Sequence, residues 1–124
     1  MKSGKQQEGV YIHIPIRPVP KGRPRRARNG GMFTDPKTRA FERDVAFYGR
    51  DAMALRGMMP IEGPIRAEVI LEDDEVGVYI EPIDVEKSKL RGDADNYAKA
   101  VLDALNGIAF MDDRQIQELK VVKA

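Results

Sequence analysis

Apolar and polar residues alternate from Val10 to Ile16, with Val10, Ile12, Ile14 and Ile16 on one side. A period of two predicts a first strand with one buried face. Pro18 and Pro20 end it, since proline cannot donate to a ladder. The period then changes. Phe41, Val45, Tyr48, Ala52 and Leu55 recur at helical spacing and predict the buried stripe of a long helix. Asp35 is its expected N-cap, Pro36 its first helical residue and Gly57 its stop. Arg39, Arg43 and Arg50 fall outside the stripe. A connector from Pro60 to Pro64 leads to a second alternating run, Ile65, Ala67, Val69 and Leu71, read as a strand. Val76, Val78 and Ile80 predict a short third strand, in a hairpin with the second. The acidic turn between them, Glu72-Asp73-Asp74-Glu75, reads as solvated. Residues 83–91 show no clear period.

A second helix is expected from Asp95, as N-cap, to about Asn106, with Gly107 as its left-handed stop. Tyr97, Val101, Ala104, Leu105 and Ile108 would form its core face, and Asp95, Lys99 and Asp103 another face. Ile116 to Val122 reads as a last strand. The order β-α-β-(β)-α-β predicts an α/β (α+β) fold of two layers, a small mixed sheet covered by two helices. A chain of 124 residues is one domain on the usual prior, with polar residues 1–9 disordered.

Composition narrows the class. Hydrophobic residues are 42% and charged residues 33%, as in a folded globular chain. There is no cysteine, which excludes disulfides and thiolate metal sites. A single histidine, His13, argues against a His-rich zinc centre and reads as part of the first strand. No apolar run approaches spanning length, and the start lacks the apolar region of a secretory signal, so the cytoplasm is the expected location.

Net charge is only +1, but it is unevenly placed. Lys21, Arg23, Arg25, Arg26 and Arg28 crowd into eight positions, among Gly22, Pro24, Gly30 and Gly31. The glycines and proline predict a flexible basic loop over residues 21–32. Such a patch in a near-neutral protein is the footprint of phosphate contact, the alternative being a solubilising loop. Lys87, Lys89 and Arg91 form a second basic group.

The richest chemistry lies between Gly92 and Ile116. Asp93 and Asp95 open the second helix, and Asp112 and Asp113 follow it. Like charges held close repel, and a hard divalent cation such as Mg²⁺ would relieve that cost. Lys99 sits one turn, about 6 Å, above Asp95. A chain reversal after Gly107 would return the second acidic pair to the helix start. Taken singly, each acid also reads as a cap, a solvated flank or an ordinary turn.

The run Gly-Asp-Ala-Asp-Asn-Tyr-Ala-Lys (92–99), then Asp-Ala-Leu-Asn-Gly (103–107) and Asp-Asp-Arg-Gln-Ile (112–116), resembles the RusA family of Holliday junction resolvases. Pro-Val-Pro-Lys-Gly-Arg-Pro-Arg (18–25) is also similar to phage-type members. Members usually continue past the strand after the acidic pair, whereas this sequence ends at Ala124. The resemblance implies a bacterial or phage-encoded, Mg²⁺-dependent, homodimeric endonuclease that nicks four-way DNA junctions. By position it implies Asp93, Asp95 and Asp113 as catalytic metal ligands and Lys99 as the essential lysine. Lys99 would stabilise developing negative charge. Asp112 would orient a ligand from an outer shell, and Asn96 would hold the loop. The basic loop would grip phosphates without reading sequence. Two rival readings stand beside this one: a non-catalytic, structure-selective DNA-binding module, and a small-molecule phosphohydrolase.

Overall fold

The computed structural model describes residues 8–21, 25–26, 28, 30–33 and 35–124. The chain forms two compact units, Met1–Asp84 and Val85–Ala124.

The first unit holds strand β1 (Val10–Ile14), two short strands β2 (Arg25–Arg26) and β3 (Met32–Phe33), helix α1 (Pro36–Leu55), and strands β4 (Ile65–Leu71) and β5 (Val76–Pro82). The main sheet has the order β1-β5-β4. Its register sets Val10 opposite Ile80 and Ile14 opposite Val76, and pairs Ile65 with Pro82 through to Leu71 with Val76. The predicted class, α/β with two helices and a small sheet, is what the chain adopts. Within it both ladders of this sheet are antiparallel, where the sequence predicts a mixed sheet. The cause is local: only Glu72–Glu75 separates β4 from β5, too short for a parallel crossover. The Glu72 N–H donates to the Glu75 carbonyl (2.9 Å) and closes that turn.

Alternation puts Val10, Ile12 and Ile14 on the face nearest α1, and Val10, Ile14 and Val76 are the buried apolar core. The first strand stops at Ile14, two residues short of expectation. The Ile16 N–H turns back to the Ile14 carbonyl (2.8 Å), and β5 begins opposite Ile14, so no ladder remains to extend. Asp35 and Pro36 start α1 as predicted, although the Asp35 side chain makes no cap bond. The helix stripe holds as far as Ala52. Leu55 is 80% exposed, and Thr38 is the buried residue of this helix. On the same sheet face, β4 lies beyond the helix. An apolar groove of about 470 Å³ runs there, lined by Phe41, Val45, Val69, Leu71 and Val78 among others.

Residues 21–32, predicted as a flexible loop, contain β2, which pairs with β3 through Arg25–Phe33 and Arg26–Met32. The turn acids are exposed, with Glu75 half-buried, as a solvated turn predicts, and two of them share a hydrogen bond. A hydrogen bond shared with Glu75 pushes the Glu72 carboxyl up and holds Glu75 below the usual range. The His13 Nε2 lies 3.3 Å from the Glu75 carboxylate, within hydrogen-bond reach.

The second unit is built on helix α2 (Ala94–Leu105) and a 3-10 turn, Asp113–Gln115. Asp93, not Asp95, is the N-cap: the Tyr97 N–H bonds the Asp93 carbonyl (3.1 Å), which starts the helix two residues early. The expected core face is open, with Tyr97, Val101 and Ile108 at 41%, 57% and 80% exposure. The half-buried stripe is instead Ala94, Ala98 and Leu102, because Ala98 and Leu102 share a cleft with Ile116 and Leu119. No strand forms over 116–122, since this unit offers no strand to pair with it. The Lys123 ammonium bonds the Gly92 carbonyl (2.8 Å) and the Ser88 hydroxyl bonds the Ala124 carbonyl (3.0 Å).

Ile14 is fully buried where strand and helix meet, so Ile14→Ala is expected to cost about 2–5 kcal/mol in urea unfolding. Leu55→Ala, at an exposed helix end, is expected to stay within about 0.5 kcal/mol of the parent.

Candidate functional site

The site is assembled by a reversal of the chain. Gly107 takes a left-handed φ of +81° after α2, a conformation that glycine adopts without a Cβ clash. The Ile108 and Ala109 N–H groups both donate to the Leu105 carbonyl (2.9 Å each), and the Gly107 N–H donates to the Phe110 carbonyl (2.7 Å). These bonds turn the chain back along the helix it has just left. Asp113 then opens onto a cleft of about 280 Å³ that Asp95, Lys99 and Asp103 line from α2. Leu102, Ile116 and Leu119 supply its apolar wall.

A compact network sets the angle at which Asp113 is presented. The Asp112 carboxylate accepts the Arg114 backbone N–H (2.8 Å) and the Arg114 guanidinium (3.1 and 3.2 Å). The Gln115 side-chain oxygen accepts the N–H groups of Met111 and Asp112 (2.8 and 2.9 Å). Together they form a capping box around the 3-10 turn. The Arg114 guanidinium, then its N–H, hold the Asp112 carboxyl down at about 2, and Asp112 in turn raises Arg114. Asp112 is committed to the turn, one residue before the Asp113 that lines the cleft.

At the other end of the cleft, Gly92 lies under Tyr97. A Cβ at position 92 would come within 2.8 Å of the ring, and the Gly92 N–H donates to the Tyr97 hydroxyl (3.2 Å). Glycine there lets the ring fold over the entry to α2. An acid in the first turn is favoured by the helix macrodipole.

Of the predicted residues, Asp95, Lys99 and Asp113 meet at the cleft. Asp93, at the N-cap, and Asn96, exposed in the first turn, do not line it. The predicted phosphate-gripping residues fall in the first unit. Lys21 pairs with Glu42 of α1 (3.1 Å), and Arg28 is exposed. Arg25 and Arg26 have only their β2 backbone described, and Arg23 lies outside the described residues. Lys87, Lys89 and Arg91, in the second unit, are all exposed. Asp103 is a cleft residue for which the sequence suggests no role. Its signal is the i, i+4, i+8 row with Asp95 and Lys99.

Among the described residues, no group of three or more acids or histidines stands close enough to hold a metal ion. Mg²⁺ asks for less: one or two carboxylates, with water and substrate phosphate completing its shell. An all-oxygen pair, Asp95 and Asp113 on one cleft, fits that number and that hardness.

A carboxylate pair beside a lysine can hold a divalent cation and meet a phosphate oxygen. The family comparison is more specific. The family model for endodeoxyribonuclease RusA matches residues 15–124, nearly the whole chain. The uncharacterized protein YqaN of Bacillus subtilis (strain 168) is 35% identical over 117 residues, covering 86% of this chain and 80% of that protein. No solved structure matches. The chain belongs to the RusA endodeoxyribonuclease family, and membership supports the nuclease function of a Holliday junction resolvase. No helix among the described residues is long and apolar enough to cross a membrane.

A carbon-detected NMR titration is expected to place the Asp112 midpoint near 2. Arg114→Gln should move it up towards the ordinary aspartate value of about 3.9. The sign follows from a folded value below the unfolded one: the stabilisation is full above about pH 4 and is lost as pH falls through about 2.

Proposed function

We propose that this chain is a metal-dependent endodeoxyribonuclease that resolves four-way DNA junctions in recombination and repair by hydrolysing phosphodiester bonds. The observation that carries this reading is the convergence of Asp95, Asp113 and Lys99 on one cleft, in a chain of the RusA family. Mg²⁺, bound there, would supply Lewis-acid polarisation of the phosphate and an activated water. Asp95 and Asp113 would hold it, and Asp93 at the helix start is the third ligand that its matched position implies.

Lys99 places a compact positive charge on the wall of the same cleft. Its role is to meet the charge that develops on the phosphoryl and leaving oxygens, as a point charge and not as a bidentate clamp. The apolar wall of Leu102, Ile116 and Leu119 removes water from one side of that charge and strengthens the interaction. Asp112, Arg114 and Gln115 keep Asp113 aimed while the substrate enters. The basic residues of 21–28 would bind the phosphate backbone without reading bases. A homodimer would set two clefts across the branch, one for each strand to be nicked.

The primary test is a labelled synthetic four-way junction incubated with and without Mg²⁺. Nicking only with Mg²⁺ is the expected result. Binding with no cleavage in either condition would leave a structure-selective binding module instead, and activity on free nucleotides alone a phosphohydrolase.

Asp95→Asn and Asp113→Asn are expected to abolish nicking and to spare junction binding in gel-shift assays. Asp93→Asn is expected to do the same, and normal nicking by it would leave Asp93 as a helix cap alone. Lys99→Gln should cut about 10²–10³-fold more slowly under single-turnover conditions, and Lys99→Arg should not fully restore the rate.

Charge reversal at Arg23, Arg25 and Arg26 should weaken junction binding uniformly across sequences. For every phosphate no longer neutralised, the slope of log affinity against log salt should fall by about 0.9. An unchanged slope would show that the segment faces away from DNA.

A further inference from the structure

We propose that Lys123 is a positioning residue for the acidic start of α2: its ammonium holds the peptide that joins Gly92 to Asp93. The inference rests on the metal-dependent reading above, in which Asp93 and Asp95 are ligands. It adds a residue that acts on them through the backbone.

Three consecutive peptide groups lead into the helix, and each carries a hydrogen bond. The Gly92 N–H donates to the Tyr97 hydroxyl (3.2 Å). The Gly92 carbonyl accepts the Lys123 ammonium (2.8 Å). The Asp93 carbonyl accepts the Tyr97 N–H (3.1 Å). The first bond fixes the peptide before Gly92, the second the peptide between Gly92 and Asp93, and the third the peptide after Asp93. A peptide group is planar and stiff, so a bond at its carbonyl orients its N–H as well. Both peptides that flank the Asp93 Cα are therefore anchored. Together they set the direction of its Cα–Cβ bond and leave only the side-chain torsions free. Asp95 follows in the first turn of the same helix.

Tyr97 belongs to α2, so two of the three bonds are local. The middle one comes from a residue 31 positions further along the chain. It is also the one the segment needs most. Without a Cβ, glycine places little restraint of its own on the peptide that follows it. Residue 92 cannot be stiffened by a side chain instead, because a Cβ there would lie 2.8 Å from the Tyr97 ring. Lys123 supplies the missing restraint from outside, through a charge-assisted bond stronger than a neutral one. A second bond brings the same two segments together. The Ser88 hydroxyl donates to the Ala124 carbonyl (3.0 Å) and accepts the Leu90 N–H (3.1 Å). Residues 123–124 thus tie residues 88–92 at two points, all within the second unit.

The test uses three variants of the full chain. Lys123→Met keeps the length of the side chain and loses its donors. Lys123→Arg keeps a cationic donor. Lys120→Met removes the same charge three residues earlier. The first readout is amide NMR without DNA or Mg²⁺. In Lys123→Met the Asp93 amide signal should move, and exchange of the Gly92 N–H should speed up about tenfold. The second readout is a Mg²⁺ titration followed on the Asp95 and Asp113 amide signals, again without DNA. Its midpoint should rise about tenfold in Lys123→Met, the scale of a lost outer-shell partner. Single-turnover nicking at saturating Mg²⁺ and junction binding should both stay near wild type. Lys123→Arg should recover most of both losses, and Lys120→Met should show neither. Should Lys123→Met not fold, Lys123→Gln carries the same test, since its shorter neutral amide makes a weaker bond and should move both readouts in the same directions.

A Lys123→Met chain with wild-type Gly92 exchange and Asp93 signal overturns the proposal. So do amide changes with an unmoved Mg²⁺ midpoint, which would leave Lys123 a structural tie alone. Equal losses in Lys120→Met overturn it by making the effect one of net charge. Weakened junction binding with an unmoved midpoint overturns it by placing the ammonium on DNA. A wild-type chain that nicks no junction fails the nuclease reading, while these readouts, taken without DNA, still decide the role of Lys123. A wild-type chain that nicks only with Mg²⁺, beside a Lys123→Met chain that matches it throughout, fails this proposal alone.

Discussion

The cleft depends on one backbone event, the reversal between Leu105 and Phe110. Gly107 adopts a left-handed φ, the Leu105 carbonyl accepts two N–H groups, and Gly107 and Phe110 close the turn. Without that reversal Asp113 would run on away from the helix, and Asp95 and Lys99 would be a solvated pair of no consequence. With it, residues eighteen apart in sequence share one cleft. A substitution at Gly107 would therefore disturb the cleft without touching any residue that lines it.

The two acidic pairs divide their work. In the first, Asp93 starts the helix and Asp95 faces the cleft. In the second, Asp112 locks the turn and Asp113 faces the cleft. In each pair one acid lines the cleft and the other does not, and of the two that do not, only Asp112 has its carboxylate tied to backbone. This arrangement limits the repulsion that four adjacent carboxylates would otherwise suffer. The Arg114 guanidinium keeps Asp112 ionised and occupied, so that it does not compete with Asp113 at the cleft. The basic residues of 21–28 belong to the first unit, and Asp93, Asp95, Asp112 and Asp113 to the second.

Local chemistry made much of the chain legible from its sequence. Period-two alternation found β1, β4 and β5 almost to the residue, because each strand has one face that sees apolar neighbours. Asp35-Pro36 and Gly107 located helix ends through dihedral preferences that need no tertiary help. The spacing of Asp95 and Lys99, and the motif around them, picked out Asp95, Lys99 and Asp113, which line the cleft, together with Asp93 and Asn96, which do not.

Tertiary structure decided what periodicity leaves degenerate. The α2 helix carries two candidate apolar stripes, and the one containing Ala98 and Leu102 was chosen by Ile116 and Leu119, which only the returning chain brings near. The expected last strand has strand-forming residues but no partner in its unit, and a strand without a partner leaves its backbone unpaired. Which acid of the second pair faces the cleft was equally undetermined, since Asp112 and Asp113 are chemically identical until one of them finds a backbone N–H and a guanidinium. Sequence determined which elements form and which residue types carry the chemistry, through dihedral and solvation preferences local to each segment. Tertiary structure decided which of those residues share a cleft, because that depends on contacts between positions far apart in the chain.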